Sequence, residues 1–340
     1  RAGGSGRSEE FSRAVLASVS GGKRFRALMA HVGYALSSAT PIEEVSLPHL
    51  SAALELYQAS ALVHDDIIDK ADERRGMPTP HRTLADHHAA QSWIGSSTDF
   101  GRHSAILVGD VLFSAATAAA DEQALTLPED CARAFARRFA DMHAEVALGQ
   151  YLDISAEQSP LDPERTDALS MSDSLEVALH KSARYSVVHP ALLGAICAAP
   201  SFDQVAGLLD VLETILTPWG LAFQLRDDDL GVFGDPAVTG KPAGDDLREG
   251  KRTALLALTW EASSPAERRA LTDVLGVAEA SAQQIATATD IVERNGRAAH
   301  EAEIVSLVAD GDAALEASEF DENARAMLRE LCSILTARRA

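Results

Sequence analysis

Two groups of aspartates stand at the ends of apolar segments, where they could bind metal ions. The first group, Asp65, Asp66 and Asp69, closes an apolar run that extends from about Leu47 to Ile68. In a helix, Asp65 and Asp69 share one face because they are four residues apart, so their like charges call for a compensating cation. Carboxylate oxygens suit Mg²⁺, which usually combines one or two carboxylates with substrate phosphates. A solvated acidic helix end is the alternative, and the apolar run before it argues against that.

The second group, Asp227, Asp228 and Asp229, repeats this arrangement after the apolar segment ILTPWGLAFQL. If the two segments are helices that face each other, carboxylates lie on both sides of one pocket. Metal ions between them could then hold a diphosphate. One such group is a weak signal, whereas two groups, each at the end of an apolar helix, predict a metal-assisted phosphate site.

Basic residues occur where they could bind phosphate beside these carboxylates. The segment GGKRFR at 21–26 is a glycine-rich turn that enters a helix, where backbone N–H groups favour anions. Arg74 and Arg75 follow the first acidic group, and Lys181, Lys241 and Lys251 lie near predicted helix ends or in a long loop. Each cation alone would be read as a solvated surface charge. Their occurrence together with two acidic groups supports a diphosphate site.

The elements that must position these residues are predicted to be helices. The run 47–68 is one continuous helix of roughly 30 Å, and the other predicted helices are 104–120, 129–152, 168–189 and 204–230, with more helix in 253–340. Residues 72–80 and 231–252 are predicted loops, rich in Gly and Pro, and no convincing strand is found. Aromatic residues make up only 5% of the chain and alanine is frequent. These features predict one large all-α domain after a flexible polar segment, 1–10.

Composition also limits the partners of the protein. The formal net charge is −21, so we expect no nucleic acid partner. No apolar run reaches the length of a membrane span, so we expect no integral membrane segment. The cysteines Cys131, Cys197 and Cys332 lie far apart without metal-ligand spacing, which favours core packing and a reducing cytoplasm.

These motifs resemble those of the polyprenyl synthetases, the trans-isoprenyl diphosphate synthases, and in particular geranylgeranyl diphosphate synthases. The matching segments span nearly the whole chain in the order found in that family. They are GGKRFR at 21–26, ELYQASALVHDDIID at 55–69, DERRGMPTPH at 72–81, GD at 109–110, HKSARY at 180–185, FQLRDD at 223–228 and GKPAGDDLREGKRT at 240–253. The resemblance implies a single domain over 11–340, with long helices around a central cavity (the isoprenoid synthase fold), and a homodimer.

The resemblance also implies a role for individual residues. The diphosphate of isopentenyl diphosphate would be held by Lys23, Arg26, Gln58 and Arg75. The diphosphate of the allylic substrate (dimethylallyl, geranyl or farnesyl diphosphate) would be held by Arg74, Lys181, Ser182, Gln224, Lys241 and Lys251. Three Mg²⁺ ions would be bound by Asp65, Asp69, Asp227 and Asp228, with Asp66 in support. The residues expected to act directly in catalysis are Asp65, Asp66, Asp69, Arg74, Lys181, Asp227 and Lys241.

Three positions depart from the family pattern. The second acidic motif often reads DDxxD, but its last position here is Gly231, which leaves the role of Asp229 open. Ser182 replaces the usual threonine and keeps the hydroxyl. Gln58 stands where many members have histidine, so it can donate a hydrogen bond to phosphate but carries no charge.

Product length is predicted from the residues that would line the tunnel for the growing chain. In the family, bulky residues four and five positions before the first aspartate stop growth early, and here these positions are Ala61 and Ser60. Because both are small, we expect a product of twenty carbons or more, with twenty to twenty-five favoured if Phe113 closes the tunnel. The alternatives are a synthase of longer polyprenyl chains, a terpene cyclase or a non-catalytic subunit. A cyclase would not need the isopentenyl site, and a non-catalytic subunit should have lost one acidic group.

Overall fold

The computed structural model describes residues 8–234, 244–277 and 279–336, and in these residues the fold is almost entirely helical. The first nine α-helices are α1 Glu9–Ser18, α2 Phe25–Ser38, α3 Pro48–Ile68, α4 Pro80–Ala90, α5 Ser97–Ala124, α6 Glu129–Gln158, α7 Met171–Ala178, α8 His189–Ala198 and α9 Phe202–Phe233. The remaining helices are α10 Asp245–Glu249, α11 Ala254–Ala262, α12 Pro265–Thr272, α13 Ala282–Asn295, α14 Arg297–Ala317 and α15 Glu322–Thr336. Short 3₁₀ turns occur at Ile42–Glu44 and Thr166–Ala168, and a π-helical segment, Leu179–Val188, joins α7 to α8. The predicted all-α class is confirmed.

Helix α3 matches its predicted extent, whereas two predicted loops contain regular structure. In 72–80, strands β1 (Glu73–Arg74) and β2 (Met77–Pro78) pair antiparallel. Arg75 and Gly76 both have positive φ, 56° and 72°, as in the tight turns that allow short hairpins. In 231–252, helix α9 runs on to Phe233 and α10 follows at Asp245–Glu249. Helix α1 begins at Glu9, inside the segment predicted to be flexible.

The core lies where α2, α3, α6, α8 and α9 meet, around side chains such as Trp219 and Phe135, which are fully buried. Helices α2 and α8 approach so closely that their backbones touch. A Cβ on Gly33 would lie 1.8 Å from the Ala191 carbonyl oxygen, and one on Gly194 would lie 1.9 Å from that of Ala30. A side chain at either glycine would force the helices apart. This contact fixes α2, which carries Arg26, against the π-helical segment that precedes α8.

Two of the described helices, α5 and α9, have the length and composition that a membrane-spanning helix requires. Both are packed helices of this fold, with α5 along α3 and α9 along α14. Core helices of globular proteins also meet these criteria, so the criteria alone are weak evidence for a membrane span. The expected absence of an integral membrane segment therefore stays a prediction.

Candidate active site

The carboxylates of the first acidic group face the cations that the sequence predicted for them. Arg74 Nη2 lies 3.0 Å from Asp65 Oδ2, and Arg74 Nε lies 2.6 Å from Asp66 Oδ1. Lys181 Nζ lies 3.6 Å from Asp65 Oδ1, and Lys251 Nζ lies 3.9 Å from Asp69 Oδ2. Asp66 is almost completely buried, so its pairing with Arg74 fixes the hairpin β1–β2 against the end of α3.

The pKa values of the two outer aspartates move in opposite directions. Burial alone would raise the pKa of Asp65, but the nearby cations, chiefly Lys181 and Lys251, hold it below its usual value. Burial and then the charge of Asp65 raise the pKa of Asp69 to about 6. The negative charges of these two neighbouring carboxylates repel each other, and a bound cation would relieve that repulsion.

The three carboxylates of the second acidic group have different surroundings. Asp227 lines a basic pocket together with Gln224. Asp228 is buried and accepts a hydrogen bond of 2.8 Å from Gln224 Nε2, and burial, together with the charge of Asp246, raises its pKa well above the usual value. Asp229 accepts hydrogen bonds from Arg297 Nε and Nη2 at 2.9 and 3.2 Å. Asp229 is therefore held in an ion pair with α14, and a metal role for Asp228 stays a prediction.

The second acidic motif has Gly231 in place of the usual last aspartate, and the carboxylate of Asp246 occupies the space beside this glycine. A Cβ on Gly231 would lie 1.9 Å from Asp246 Oδ2, so no side chain fits at 231 while Asp246 keeps this position. Asp246 Oδ1 is also 3.9 Å from Lys251 Nζ. Asp246 lies in the motif at 240–253, but no role was predicted for it from the sequence.

All four residues predicted to hold isopentenyl diphosphate line one pocket of about 420 Å³. Lys23, Arg26, Gln58 and Arg75 share it with Ser182, Gln224 and Asp227 from the predicted allylic and metal sites. Gly21 and Gly22, with φ of 72° and 86°, form the turn before α2 and also line the pocket. Arg24 Nη1 lies 2.8 Å from Glu55 Oε2, which ties this turn to α3.

A second cavity, of about 520 Å³, is lined by Asp65 and Lys181 and also by all three residues predicted to set product length. Ala61 and Phe113 line it, and so does Ser60, although the Ser60 hydroxyl is buried and donates a hydrogen bond of 2.8 Å to the Gly109 carbonyl oxygen. Ser60 thus also joins α3 to α5. Its effect on product length stays a prediction.

Aromatic rings gather on the walls of this second cavity. The His143 ring stacks on Tyr57 at 4.1 Å between centroids and lies 4.9 Å from Phe113. Burial lowers the pKa of His143 to about 4, so the ring is neutral at neutral pH. Sequence reasoning missed His143, because nothing in the spacing along α6 indicates which face meets α3 and α5.

The remaining predicted cations are placed as follows. Lys181 lies in the π-helical segment, with its Nζ 2.5 Å from Asp153 Oδ2, a partner on α6 that sequence reasoning also missed. Lys251 pairs with Glu249 at 2.6 Å. Burial alone would lower the pKa of Lys251, but the surrounding carboxylates raise it well above the usual value. Lys241 lies outside the described residues.

The donor set of the first acidic group fits Mg²⁺. Asp65 Oδ1 is buried without a hydrogen-bond partner among the described residues, and Asp69 stands one turn away on the same helix. Within the described ranges, no group of three or more carboxylate, imidazole or thiolate side chains converges on one point. A magnesium ion that takes one or two carboxylates and completes its shell with water and substrate phosphate needs no such group.

The sequence is also similar to those of known proteins. The sequence profile of the family described as polyprenyl synthetase matches residues 8–292. A geranylfarnesyl diphosphate synthase of Aeropyrum pernix is 31% identical over 277 residues, which covers 81% of this chain and 77% of that protein. A geranylgeranyl diphosphate synthase of Mycobacterium tuberculosis is 32% identical over 291 residues, 82% of this chain and 71% of that one.

Among solved structures, one similar chain is a geranylgeranyl pyrophosphate synthase of Corynebacterium glutamicum in complex with isoprenyl diphosphate and magnesium. It is 36% identical, with a TM-score of 0.83, and the match covers 96% of this chain and 90% of that one. The chain belongs to the polyprenyl synthetase family. It is a trans-prenyltransferase with the all-helical isoprenoid synthase fold.

Proposed function

We propose that this trans-prenyl diphosphate synthase extends an allylic diphosphate with isopentenyl diphosphate to a product of twenty to twenty-five carbons. The observation that carries this proposal is that a basic pocket adjoins an apolar cavity across a shared wall. Arg26, Gln58 and Ser182 line both spaces. A diphosphate held in the basic pocket would thus place its short hydrocarbon part beside the reacting end of a chain held in the cavity.

In this proposal the basic pocket receives isopentenyl diphosphate. Lys23, Arg26 and Arg75 supply positive charge for its diphosphate, and Gln58 supplies an amide donor. Charge-assisted hydrogen bonds to phosphate are about twice as strong as neutral ones. The four residues come from the turn before α2, from α2, from α3 and from the hairpin turn, so the pocket exists only when all of these elements are in place.

The allylic diphosphate is assigned to the region between the two acidic groups. Lys181 and Lys251 stand beside Asp65 and Asp69, and Arg74 pairs with Asp65. Ser182 lines the cavity that contains Asp65 and Lys181, and Gln224 lines the basic pocket. Lys241 is proposed for the same role from the motif alone. Magnesium bound by Asp65, Asp69, Asp227 and Asp228, three ions in all, would neutralise charge that develops on the leaving diphosphate.

The reaction transfers a prenyl group without a side-chain nucleophile. The allylic carbon–oxygen bond breaks, and the diphosphate leaves with the electron pair. The double bond of isopentenyl diphosphate then attacks the allylic carbon, and the new carbon–carbon bond forms. Loss of one proton to the departing diphosphate restores a double bond. Cations such as Lys181 stabilise the leaving group, and the apolar cavity excludes water from the carbocation.

Product length is proposed to depend on the aromatic end of the cavity. No bulky side chain of α3 stands at Ser60 or Ala61, so the first obstacle below the acidic group is the cluster of Tyr57, Phe113 and His143. The relatives named for geranylgeranyl and geranylfarnesyl products support this range.

We also propose that the protein is a homodimer located in the cytoplasm. Leu107 and Val111 on α5 and Leu148 and Tyr151 on α6 are all exposed, by 56%, 44%, 46% and 65%. An apolar surface on two adjacent helices is typical of a subunit interface. The three cysteines are free thiols, in keeping with a reducing compartment. Sedimentation equilibrium tests the dimer, and a monomer at micromolar concentration would contradict it.

The function is tested by incubating the protein with isopentenyl diphosphate, one allylic primer at a time, and Mg²⁺. We expect linear products of twenty to twenty-five carbons by chromatography of the dephosphorylated prenols, and no turnover in EDTA. Cyclic hydrocarbons formed without isopentenyl diphosphate would support a terpene cyclase instead. Turnover only after addition of a second protein would support a non-catalytic subunit, and products far longer than twenty-five carbons would contradict the proposed tunnel end.

A further inference from the structure

One buried tyrosine links two of the residues assigned to isopentenyl diphosphate. Tyr185 lies in the π-helical segment Leu179–Val188, and its side chain is almost completely buried. Its hydroxyl donates a hydrogen bond of 2.6 Å to Gln58 Oε1, although the two residues are 127 positions apart. The family resemblance assigned no role to Tyr185.

The ring of the same tyrosine supports Arg26. The Arg26 guanidinium carbon lies 4.0 Å from the Tyr185 ring centroid, within the range of a cation–π contact. Arg26 Nη2 also donates a hydrogen bond of 2.7 Å to Ser186 Oγ. Tyr185 therefore contacts Arg26 through its ring face and Gln58 through its hydroxyl.

The hydroxyl of Tyr185 determines which end of the Gln58 amide is free. An amide has an oxygen that accepts and a nitrogen that donates, and its orientation follows from its hydrogen-bond partners. Burial raises the pKa of Tyr185 to about 12, so the phenol is protonated and can donate at neutral pH. Once the Gln58 oxygen accepts from this phenol, the NH₂ group is left to donate elsewhere. No described residue accepts a hydrogen bond from that nitrogen.

The two cavities indicate where that nitrogen is needed. Gln58 lines both the basic pocket and the apolar cavity, whereas Tyr185 lines only the apolar cavity. Tyr185 thus holds the amide oxygen from the apolar side. The opposite amide orientation would present an oxygen to a diphosphate, and two acceptors repel each other there.

We infer that Tyr185 is a positioning residue for isopentenyl diphosphate, which fixes the Gln58 amide so that its nitrogen donates to the diphosphate. This inference rests on the proposed function of the basic pocket. In this inference the uncharged pair Gln58 and Tyr185 supplies a hydrogen-bond donor at position 58, where many members of the family have histidine.

The test is Tyr185→Phe, which keeps the ring under Arg26 and removes only the hydroxyl. We expect the KM for isopentenyl diphosphate to rise about five-fold, the effect of one hydrogen bond of ~1 kcal/mol. The KM for farnesyl diphosphate and kcat should stay within about two-fold, as expected for a change confined to one substrate. The affinity for isopentenyl diphosphate, measured by calorimetry, should fall by the same factor. Tyr34→Phe on α2, a tyrosine that lines neither cavity, is the matched control.

A double-mutant cycle with Gln58→Leu separates positioning from a direct contact. If Tyr185 acts through Gln58, Tyr185→Phe should add no further rise in KM in the Gln58→Leu protein. Fully additive effects, an equal loss for both substrates or an unchanged KM in Tyr185→Phe would each overturn the inference. A wild-type protein that fails to bind isopentenyl diphosphate in calorimetry would instead refute the assignment of the pocket, and with it the proposed function.

Discussion

Asp229 and Asp227 are two residues apart on α9, and their replacement should affect different properties. Asp229 pairs with Arg297 on α14, whereas Asp227 lines the basic pocket. We expect Asp229→Asn to destabilise the fold with little effect on the Mg²⁺ dependence of turnover. Asp227→Asn should do the reverse, because it removes a proposed metal ligand from an otherwise intact pocket.

The size of the Asp229 effect follows from its surroundings. Breaking a buried ion pair by removing one partner costs about 3–5 kcal/mol. Arg297 is 35% exposed, keeps Glu293 at 2.7 Å and lies 4.1 Å from the centroid of the Phe233 ring, so the loss should be about 2 kcal/mol. For 340 residues the entropy of unfolding is roughly 0.7 kcal/mol/K, so Tm should fall by about 3 °C.

Thermal unfolding followed by circular dichroism measures the first effect, and turnover titrated with Mg²⁺ measures the second. Asp227→Asn should lower kcat at least ~100-fold, the typical loss of one electrostatic stabiliser of the transition state, while its Tm stays within about 1 °C of the wild type. Arg297→Met should reproduce the loss of stability caused by Asp229→Asn, and the double variant should be less destabilised than the sum. A shifted Mg²⁺ requirement with unchanged Tm in Asp229→Asn would refute the structural role of Asp229.

Three further predictions concern the substrates, the product and pH. Lys23→Ala should raise the KM for isopentenyl diphosphate about ten-fold, whereas Lys181→Ala should mainly lower kcat. Steady-state kinetics with each substrate varied in turn measure these effects. If each variant affected the two substrates equally, the two-site assignment would be wrong. Phe113→Ala should lengthen the product by at least one five-carbon unit, and an unchanged product in chromatography would place the tunnel end elsewhere. Burial raises the pKa of Glu145, but hydrogen bonds from His189 and Arg184 outweigh this effect and lower that pKa from 4.5 to about 2. This pKa change corresponds to ~3 kcal/mol, and because Glu145 is partly exposed, solvent screening reduces the expected cost of Glu145→Gln at pH 7 to roughly 2 kcal/mol. Because the pKa is depressed in the folded state, the difference in stability, measured by urea unfolding, should fade as pH falls from 4.5 towards 2, and a difference that persists at pH 2 would contradict the prediction.

The helices and the chemical class of the site could be predicted from local patterns. The apolar run before Asp65 predicted α3, which the structure shows as Pro48–Ile68. The four-residue spacing of Asp65 and Asp69 placed both on one face, and the glycine-rich turn at 21–26 predicted the start of α2. Each of these inferences depends on residues within one or two helical turns, where periodicity and backbone propensity decide the conformation.

The short hairpin and α10 could not be predicted in this way. Both lie in Gly- and Pro-rich stretches that break the helical pattern, and such composition indicates only the absence of a long helix. The hairpin forms because Arg74 is anchored to Asp65 and Asp66, eight or nine residues earlier. A tertiary contact therefore stabilises a strand pair that is too short to form alone.

The amino-acid sequence by itself determined the all-helical class, the two acidic helix ends and the set of cations around them. Only the tertiary structure decided that Asp229 pairs with Arg297, 68 residues away, and that Asp246 fills the space beside Gly231. It also decided that Tyr185 meets Gln58. The physical reason is that periodicity fixes the direction of a side chain around its own helix, whereas its partner depends on how distant helices cross and how closely their backbones approach.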